Sequence, residues 1–283
     1  MPKDSKRDIV YILGSGSRWK NNELRYSMRS LENMDHGKVF VIGEKPIFLT
    51  DKVIHIPAKD VYDNKLKNSL EKQIIAAKDP RVSSRFILMN DDFFIMEPTS
   101  IIPVHLGRLE SAIQTHETKG GYYYRALRLA LDMLRVSGIK NPINYETHTP
   151  IVYEKKKFLD LAERLNVETS GYLIRSLYGN LFKIGGRKIK DVKVYTSWNE
   201  WNGGTFLSVD DTIPRKKIFQ DFLKQRFPRP SVYENQKEDE CRRVAEIEKD
   251  YTFIQATVWN GRQYNVGDLV RTSAPTVHMK LTD

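Results

Sequence analysis

The stretch RFILMNDDFF, residues 85–94, decides the fold class. Its apolar run at 85–89 is typical of a strand buried on both faces, because such strands in parallel sheets show no polar alternation. Asn90, Asp91 and Asp92 follow this run directly. Three polar side chains therefore come at the carboxyl end of a predicted strand, which is where parallel α/β sheets bind their ligands.

Strand and helix patterns alternate before that stretch. Apolar runs at 9–13, 38–42 and 53–56 predict strands, and the apolar spacing at 66–77 predicts a helix. Another helix is predicted from Asn22, a residue type favoured at helix N-caps. This alternation indicates βαβ units, and hence an α/β protein with a mostly parallel sheet flanked by helices.

The remainder of the chain is more helical and ends in a β-rich segment. The pattern predicts strands at 192–195 and 205–209 and helices at 122–136, 154–165, 172–182, 218–227 and 235–249. Beyond them, apolar and polar residues alternate around Asn260-Gly261, a strong hairpin signal. We therefore predict a main domain over residues 1–249 and a small β appendage over 250–283.

Composition excludes several classes of protein. The 283 residues, 40% hydrophobic and 29% charged, are typical of a globular chain rather than a disordered one. No apolar run approaches the roughly 20 residues of a membrane helix, the start MPKDSKRD shows no secretory signal, and Cys241 alone excludes a disulfide framework. We expect a cytoplasmic protein without a membrane span. The net charge of +10 favours a polyanionic partner, either nucleotide phosphates, nucleic acid or an anionic glycan.

Four side chains are the first candidates for chemistry. Asp91 and Asp92 are candidate ligands of Mg²⁺ or Mn²⁺, since carboxylates at a strand end can hold a cation that binds a diphosphate. The same pair is also common in ordinary turns. Arg25 lies in the first turn of the helix predicted from Asn22, where it can bind phosphate. His148 lies in a predicted loop; a lone histidine is usually structural, but its chemistry suits a general base.

Five further residues are candidates for substrate binding or catalysis. Gly14 and Ser15 begin a turn after the first strand, where backbone N–H groups can approach a phosphate or a base. Trp198 can stack on a sugar or a base, although core packing is equally typical of such a residue. Asp210 and Asp211 again place paired acids at the end of a predicted strand.

Several segments, in order, resemble the signature regions of the Stealth family. They are DIVY at 8–11 with NELRYSMRSLE at 22–32, FILMNDDFF at 86–94, HTP at 148–150 with RS at 175–176, and TFLSVDD at 205–211 with FPRPSVYE at 227–234. Stealth proteins are sugar-1-phosphate transferases of capsule polymer synthesis, related to the lysosomal-enzyme GlcNAc-1-phosphotransferase. One departure is clear. The family's acidic Asp-Gly-Ser-Asp turn is replaced here by LGSGS at 13–17, which has no acid.

The resemblance implies a Rossmann-like fold akin to nucleotide-sugar glycosyltransferases, the GT-A-like class, and a nucleoside-diphosphate sugar as donor. It implies a centre built from Asp91, Asp92, His148, Arg175 and Asp210 or Asp211, with Arg25 close by. In that centre His148 would take the proton of the acceptor hydroxyl. Arg175, Arg25 and a metal held by the acids at 91 and 92 would offset the charge that grows on the phosphate oxygens.

The predicted function is the transfer of sugar-1-phosphate, or of the sugar alone, to a hydroxyl on a polymer such as a capsule or wall glycan. Attack at phosphorus releases a nucleoside monophosphate, whereas attack at the anomeric carbon releases a diphosphate. The altered first turn leaves both bond cleavages open. The basic charge also suits a phage-type glycosyltransferase that modifies DNA bases, and we expect a bacterial or phage-infected cell. A non-catalytic nucleic-acid-binding or glycan-binding protein is the third hypothesis.

Overall fold

The computed structural model describes residues 6–167, 171–198, 201 and 203–235, together with the backbone of four short strands between residues 251 and 271. The chain divides into two compact units, residues 1–234 and residues 235–283. Within the part of the chain that the structure describes, every helix is too short or too polar to cross a membrane.

The first unit combines short strands with helices in an alternating order. Its strands are β1 (Asp8–Leu13), β2 (Val39–Gly43), β3 (Val53–Pro57), β4 (Arg85–Asn90), β5 (Phe93–Ile95), β6 (Val104–His105), β7 (Ile151–Glu154), β8 (Arg187–Lys188), β9 (Lys193–Val194) and β10 (Phe206–Val209). Its α-helices are α1 (Asn22–Ser30), α2 (Lys65–Lys78), α3 (Leu109–Glu117), α4 (Gly121–Val136), α5 (Lys155–Ala162), α6 (Ile174–Leu181) and α7 (Lys217–Arg226).

A five-stranded sheet in the order β3-β2-β1-β4-β7 forms the centre of this unit. The first four of these strands run parallel, and β7 pairs antiparallel with β4. Helices flank the sheet, so the predicted α/β class with a mostly parallel sheet is confirmed. The sequence did not predict β7, and of its four residues only Glu154 falls in a predicted element, the helix at 154–165.

The three middle strands of the central sheet, β1, β2 and β4, are buried on both faces, as their apolar runs predict. Along β4, Phe86 and Leu88 belong to the core beneath α2, α4, α5 and α6. Ile87 and Met89 point the other way, into the core that α1 covers. Burial of each such side chain contributes about 1.5–3 kcal/mol to the free energy of folding. This contribution holds the strand and the turn after it in place.

A second, smaller sheet carries the chain onward from the end of β4. Its order is β5-β10-β9, with β10 antiparallel to β5 and parallel to β9. In this register Ser208 lies opposite Phe93 on one side and Lys193 on the other. The turn at residues 91–92 therefore connects the two sheets.

The helices predicted before residue 228 are present with shifted ends, and α3 was not predicted. Among the residues of α3 only Leu109 and Ile113 are buried, so its sequence shows a weak apolar stripe. In the second unit β11 (Tyr251–Phe253) pairs with β14 (Leu269–Arg271), and β12 (Val258–Trp259) pairs with β13 (Arg262–Gln263), both antiparallel. The helix predicted at 235–249 lies, after its first residue, outside the described residues, and so do Asn260 and Gly261. The domain boundary at residue 250 stays a prediction.

Candidate active site

The turn at residues 90–92 lies at the edge of the central sheet where ligands of α/β proteins bind. Strand β4 ends at Asn90, and its parallel neighbour β1 ends at Leu13, just before Gly14 and Ser15. Neighbouring parallel strands present their carboxyl ends at one edge of the sheet. The two segments that the sequence singled out therefore share this edge.

Four carboxylates, those of Glu23, Asp91, Asp92 and Asp211, interact electrostatically near this turn, and we call them the acidic group. Burial first, and then the negative charges of the other three, raise the pKa of Asp91 to about 7. Burial also raises the pKa of Glu23, which accepts a hydrogen bond from Ser17 at 2.9 Å. Carboxylates that raise one another's pKa are common at functional sites.

Replacing Asp91 by Asn should stabilise the protein at pH 8 in EDTA, by on the order of 2 kcal/mol. The folded-state pKa of about 7 lies above the ordinary value of 3.8. Wild-type stability from this group is therefore present below pH 4 and is lost as the pH rises through 7. The stabilisation by Asp91→Asn should therefore vanish at pH 4. Asp210→Asn is the matched control. The pKa of Asp210 is lowered, so this substitution should destabilise the protein at pH 8 rather than stabilise it. Urea unfolding at both pH values measures the effect, and equal stability of the Asp91 variant and wild type at pH 8 would contradict it.

Asp92 is held by the second sheet. Its Oδ2 accepts hydrogen bonds from the Ser208 hydroxyl at 2.8 Å and from the Lys193 ammonium at 3.2 Å. Asp92 and Lys193 are each 18% exposed at the side chain, so water screens this ion pair less than it screens a surface pair. The strand register, which places Ser208 between Phe93 and Lys193, brings these groups to the turn.

His148 and Asp191 form a second set of polar groups, together with Tyr195. Nδ1 of His148 lies 2.8 Å from Oδ1 of Asp191, and the Tyr195 hydroxyl donates to Oδ2 at 3.3 Å. Burial favours a higher pKa for Asp191, but the hydrogen bond and charge of His148, together with the hydrogen bonds from Lys193 and Tyr195, outweigh burial and lower this pKa. A carboxylate on Nδ1 fixes the imidazole ring and its tautomer, so that Nε2 can accept a proton.

Arg175 holds the loop that carries His148. Its Nη1 donates to the carbonyl oxygens of Thr147 at 2.8 Å and Thr149 at 2.7 Å, on either side of His148. Burial raises the pKa of Glu146, and the charge of Arg175 acts in the opposite direction. Arg175 is itself buried. These contacts indicate a positioning residue rather than the predicted stabiliser of phosphate charge.

A cleft of about 690 Å³ lies beside these groups. Asn90, Glu146, His148, Arg175, Asp191 and Tyr195 line it, along with side chains of α2 and α3. The acidic group adjoins it through the segment 191–195. In this segment the Lys193 side chain contacts Asp92, and the Lys193 backbone N–H donates to Asp191 at 3.2 Å. The structure thus brings the acids at 91 and 92, the imidazole and the guanidinium into one region.

The paired acids after β10 have separate surroundings. Asp210 accepts hydrogen bonds from the backbone N–H groups of Thr196 and Thr212 at 2.9 Å each, and from the Thr212 hydroxyl at 2.6 Å. These bonds make Asp210 the organiser of a turn, and its predicted substrate contact stays a prediction. Asp211 pairs with Lys65 at 3.0 Å, with both side chains largely exposed. Its predicted catalytic role stays a prediction.

Two side chains that the sequence predicted to bind substrate are buried against other side chains of the protein. The Arg25 guanidinium lies 4.4 Å from the centre of the Phe48 ring and 3.4 Å from a carboxylate oxygen of Glu234. Trp198 packs against Phe219 at 4.8 Å between ring centres. Neither side chain is exposed to a ligand, so the predictions of a phosphate contact and of base stacking are wrong. The residue type alone does not show whether a charged or aromatic side chain contacts a ligand or another side chain of the protein.

The turn after β1 is open at Ser15 and tight at Gly14. Ser15 is exposed, and a Cβ atom at position 14 would lie 3.1 Å from an oxygen of Asp60. Asp60 in turn forms an ion pair with buried Lys72 of α2. The predicted substrate contacts of Gly14 and Ser15 stay predictions.

No protein-family model matches the sequence, and no curated protein matches it. The solved structure of the glycosyltransferase GlyE from Streptococcus pneumoniae TIGR4, in its apo form, aligns at 12% identity and a TM-score of 0.31, over 66% of this chain and 45% of that one. The chain thus spans less than half of GlyE. Mouse xyloside xylosyltransferase 1, apo form, aligns at 8% identity and a TM-score of 0.35, over 80% of this chain and 95% of that one. Both are glycosyltransferases. At these scores neither similarity assigns a family or an activity to this chain, and membership of the Stealth family stays a prediction.

The sequence analysis missed Asp191, Tyr195, Glu146 and Lys193. Asp191 directly precedes the strand predicted at 192–195 and Tyr195 is its last residue, so the polar groups at its two ends were the available signal. Glu146 lies two residues before His148 in the sequence. Nothing in the local pattern distinguishes these four from the many other charged residues of the chain, because their roles depend on contacts between distant segments.

Proposed function

We propose that the first unit is a nucleotide-sugar-dependent transferase that moves sugar-1-phosphate to an acceptor hydroxyl. The observation that carries the proposal is the pairing of His148 with Asp191 in a large cleft, beside the acidic turn at the carboxyl end of β4. An oriented imidazole next to a group of carboxylates suits proton removal from a hydroxyl together with binding of a diphosphate.

His148 acts as the general base in this proposal. Asp191 accepts the hydrogen bond from Nδ1, so Nε2 carries the lone pair that takes the acceptor's proton. The acceptor oxygen then bonds to the phosphorus next to the sugar. The bond from that phosphorus to the bridging oxygen breaks, and the nucleoside monophosphate leaves with the electron pair. Arg175 keeps the loop of His148 in place through Thr147 and Thr149.

The acidic group fits a divalent cation, with Asp91 and Asp92 as the ligands we propose. Within the described residues there is no cluster of three or more His, Cys, Asp or Glu side chains arranged to hold a metal. Mg²⁺ commonly takes one or two carboxylates and completes its shell with water and substrate phosphates, so two ligands suffice. A bound cation would offset the burial and the repulsion by neighbouring carboxylates that together raise the pKa of Asp91. Mg²⁺ or Mn²⁺ would supply charge neutralisation at the diphosphate.

The acceptor in this proposal is a polyanionic glycan such as a capsule or wall polymer, in the cytoplasm. Arg108 and Lys119 lie at the rim of the cleft on the α3 side, and the chain carries a net charge of +10. Positive groups at the rim of a cleft raise the local concentration of an anionic substrate.

Turnover of a panel of nucleotide sugars, with chromatography of the released nucleotide, tests the proposal. We expect one donor to yield a nucleoside monophosphate in the presence of Mg²⁺ or Mn²⁺. Release of a nucleoside diphosphate would instead indicate transfer of the sugar alone. The absence of any turnover, including hydrolysis of the donor without acceptor, would contradict the proposal and favour a binding protein.

A further inference from the structure

Gln73 is a buried amide with an unfilled hydrogen bond. Its side chain is 3% exposed, and its Nε2 donates to the Ser69 hydroxyl at 3.0 Å. No hydrogen-bond partner of Oε1 is found among the residues that the structure describes. A buried polar atom without a partner costs about 1–3 kcal/mol. Such a cost is typical of a position where a ligand supplies the missing partner.

The amide lies on the wall of the cleft that α2 forms. Leu66, Ser69 and Gln73 follow the spacing i, i+3, i+7, and all three line the cleft. On α3, Ser111 and Thr115 line it as well. Amide and hydroxyl side chains from two helices therefore line the same cleft.

This part of the cleft differs in chemistry from the part around His148. The walls from α2 and α3 contribute amide and hydroxyl groups and the His116 imidazole, with Arg108 and Lys119 at the rim, and Tyr123 and Tyr172 add ring surface. Around His148 the lining is charged, with Glu146, Arg175 and Asp191. Neutral polar groups among aromatic rings suit a sugar ring, which has hydroxyls at its rim and C–H groups on its faces.

We propose that Gln73 binds a hydroxyl of a sugar residue held between α2 and α3, in the substrate of the transferase proposed above. A hydroxyl both donates and accepts a hydrogen bond, so it satisfies the free end of the amide in either orientation of that amide. Phosphate oxygens only accept and would pair with one orientation. The sugar belongs either to the donor or to the acceptor, and the two sources differ in the kinetics of a Gln73 variant.

Sugar binding by Gln73→Leu tests the inference without any need for turnover. The probes are free glucose, galactose, mannose and N-acetylglucosamine, each followed by saturation-transfer NMR on the full chain. We expect wild type to bind at least one of them and Gln73→Leu to lose that signal. The control is Gln220→Leu, which changes a glutamine on α7 that donates to the Pro214 carbonyl, and it should bind as wild type does. Equal binding by the Gln73 variant, or no binding by wild type, overturns the inference.

Stability separates this role from a structural one. Leucine leaves no unpaired amide, so Gln73→Leu should melt at the wild-type temperature or above it, whereas loss of a structural hydrogen bond would lower the melting temperature. With an active donor, the variant should raise the KM of the donor about tenfold or more if Gln73 binds the donor sugar. The KM of the acceptor should rise instead if Gln73 binds the acceptor. Unchanged KM values for both overturn the inference. Sugar binding that depends on Gln73 without turnover of any nucleotide sugar would refute the transferase and leave this subsite standing.

Discussion

Replacing His148 by Ala is expected to lower kcat by about 10²–10⁴-fold, the contribution typical of a positioned general base. His148 lines the cleft and is partly exposed, so the variant should fold with little loss of stability. Initial rates at saturating donor measure the loss. His36→Ala is the matched control, because His36 bonds to the backbone oxygen of Gly37 and does not line the cleft.

Asp191→Asn should lower kcat by a smaller factor than His148→Ala, and it should change the pH profile. The carboxylate that orients the imidazole is lost, while the base itself remains. In wild type the pKa of Asp191 is lowered. The stability that Asp191 gains from its pair with His148 is therefore present at pH values above the ordinary pKa of an aspartate. It is lost as the pH falls through the lowered pKa of Asp191. The acid limb of the kcat profile should accordingly change in the variant.

Two outcomes would contradict the role of the His148–Asp191 pair. One is full activity of His148→Ala, which would move the base elsewhere in the cleft. The other is equal loss in the His36 control, which would indicate a general effect of the substitution. A folded variant without turnover but with unchanged nucleotide binding would give the strongest support, since only the chemical step would then be affected.

The central sheet could be predicted because its strands carry their own signal. The strands at 9–13 and 85–89 are continuous apolar runs, and the helix at 66–77 has a clear period. Short elements such as β7 and α3 carry too few buried residues to show a pattern. Their structure depends on packing against distant segments, and local sequence does not contain that information.

The candidate site was predictable only at its turns and loops. Asp91 and His148 were found because they follow a strand and occupy a loop. Asp191 pairs with His148 across 43 positions, and Glu234 reaches Arg25 across 209. Whether an arginine meets a ligand or a buried carboxylate depends on which segments the fold brings together. The same reason explains why Gln73 attracted no attention in the sequence.

Replacing Arg175 by Met is expected to destabilise the protein by about 3 kcal/mol or more, because a hydrogen bond from a charged donor contributes about 1.5–3 kcal/mol and Arg175 makes two of them to carbonyl oxygens. The carbonyl groups of Thr147 and Thr149 would lose a shared donor. Glu146 would lose the positive charge that opposes the effect of burial on its pKa. Urea unfolding at pH 5 and pH 8 measures the cost.

The destabilisation should grow as the pH rises. The pKa of Glu146 is raised in the folded state, so stability from this group is present below its ordinary value near 4.5 and is lost as the pH rises through the raised value. Without Arg175 the pKa of Glu146 rises further, so the protein loses more stability as the pH rises. Adding Glu146→Gln to Arg175→Met should recover part of it, and a double-mutant cycle gives the coupling free energy.

Arg175→Lys separates a positioning role from a contact with phosphate. Lysine keeps the positive charge, but its shorter side chain moves the donor away from the position of Nη1, the one nitrogen that donates to both carbonyl oxygens. If Arg175 positions the loop of His148, the lysine variant should fold, bind the donor with an unchanged KM and lose kcat, since the base is displaced. If Arg175 instead binds the phosphate, the KM of the donor should rise, while the pH profile of kcat should match that of wild type. The second result would restore the role that the sequence suggested and would refute the positioning role drawn from the contacts with Thr147 and Thr149.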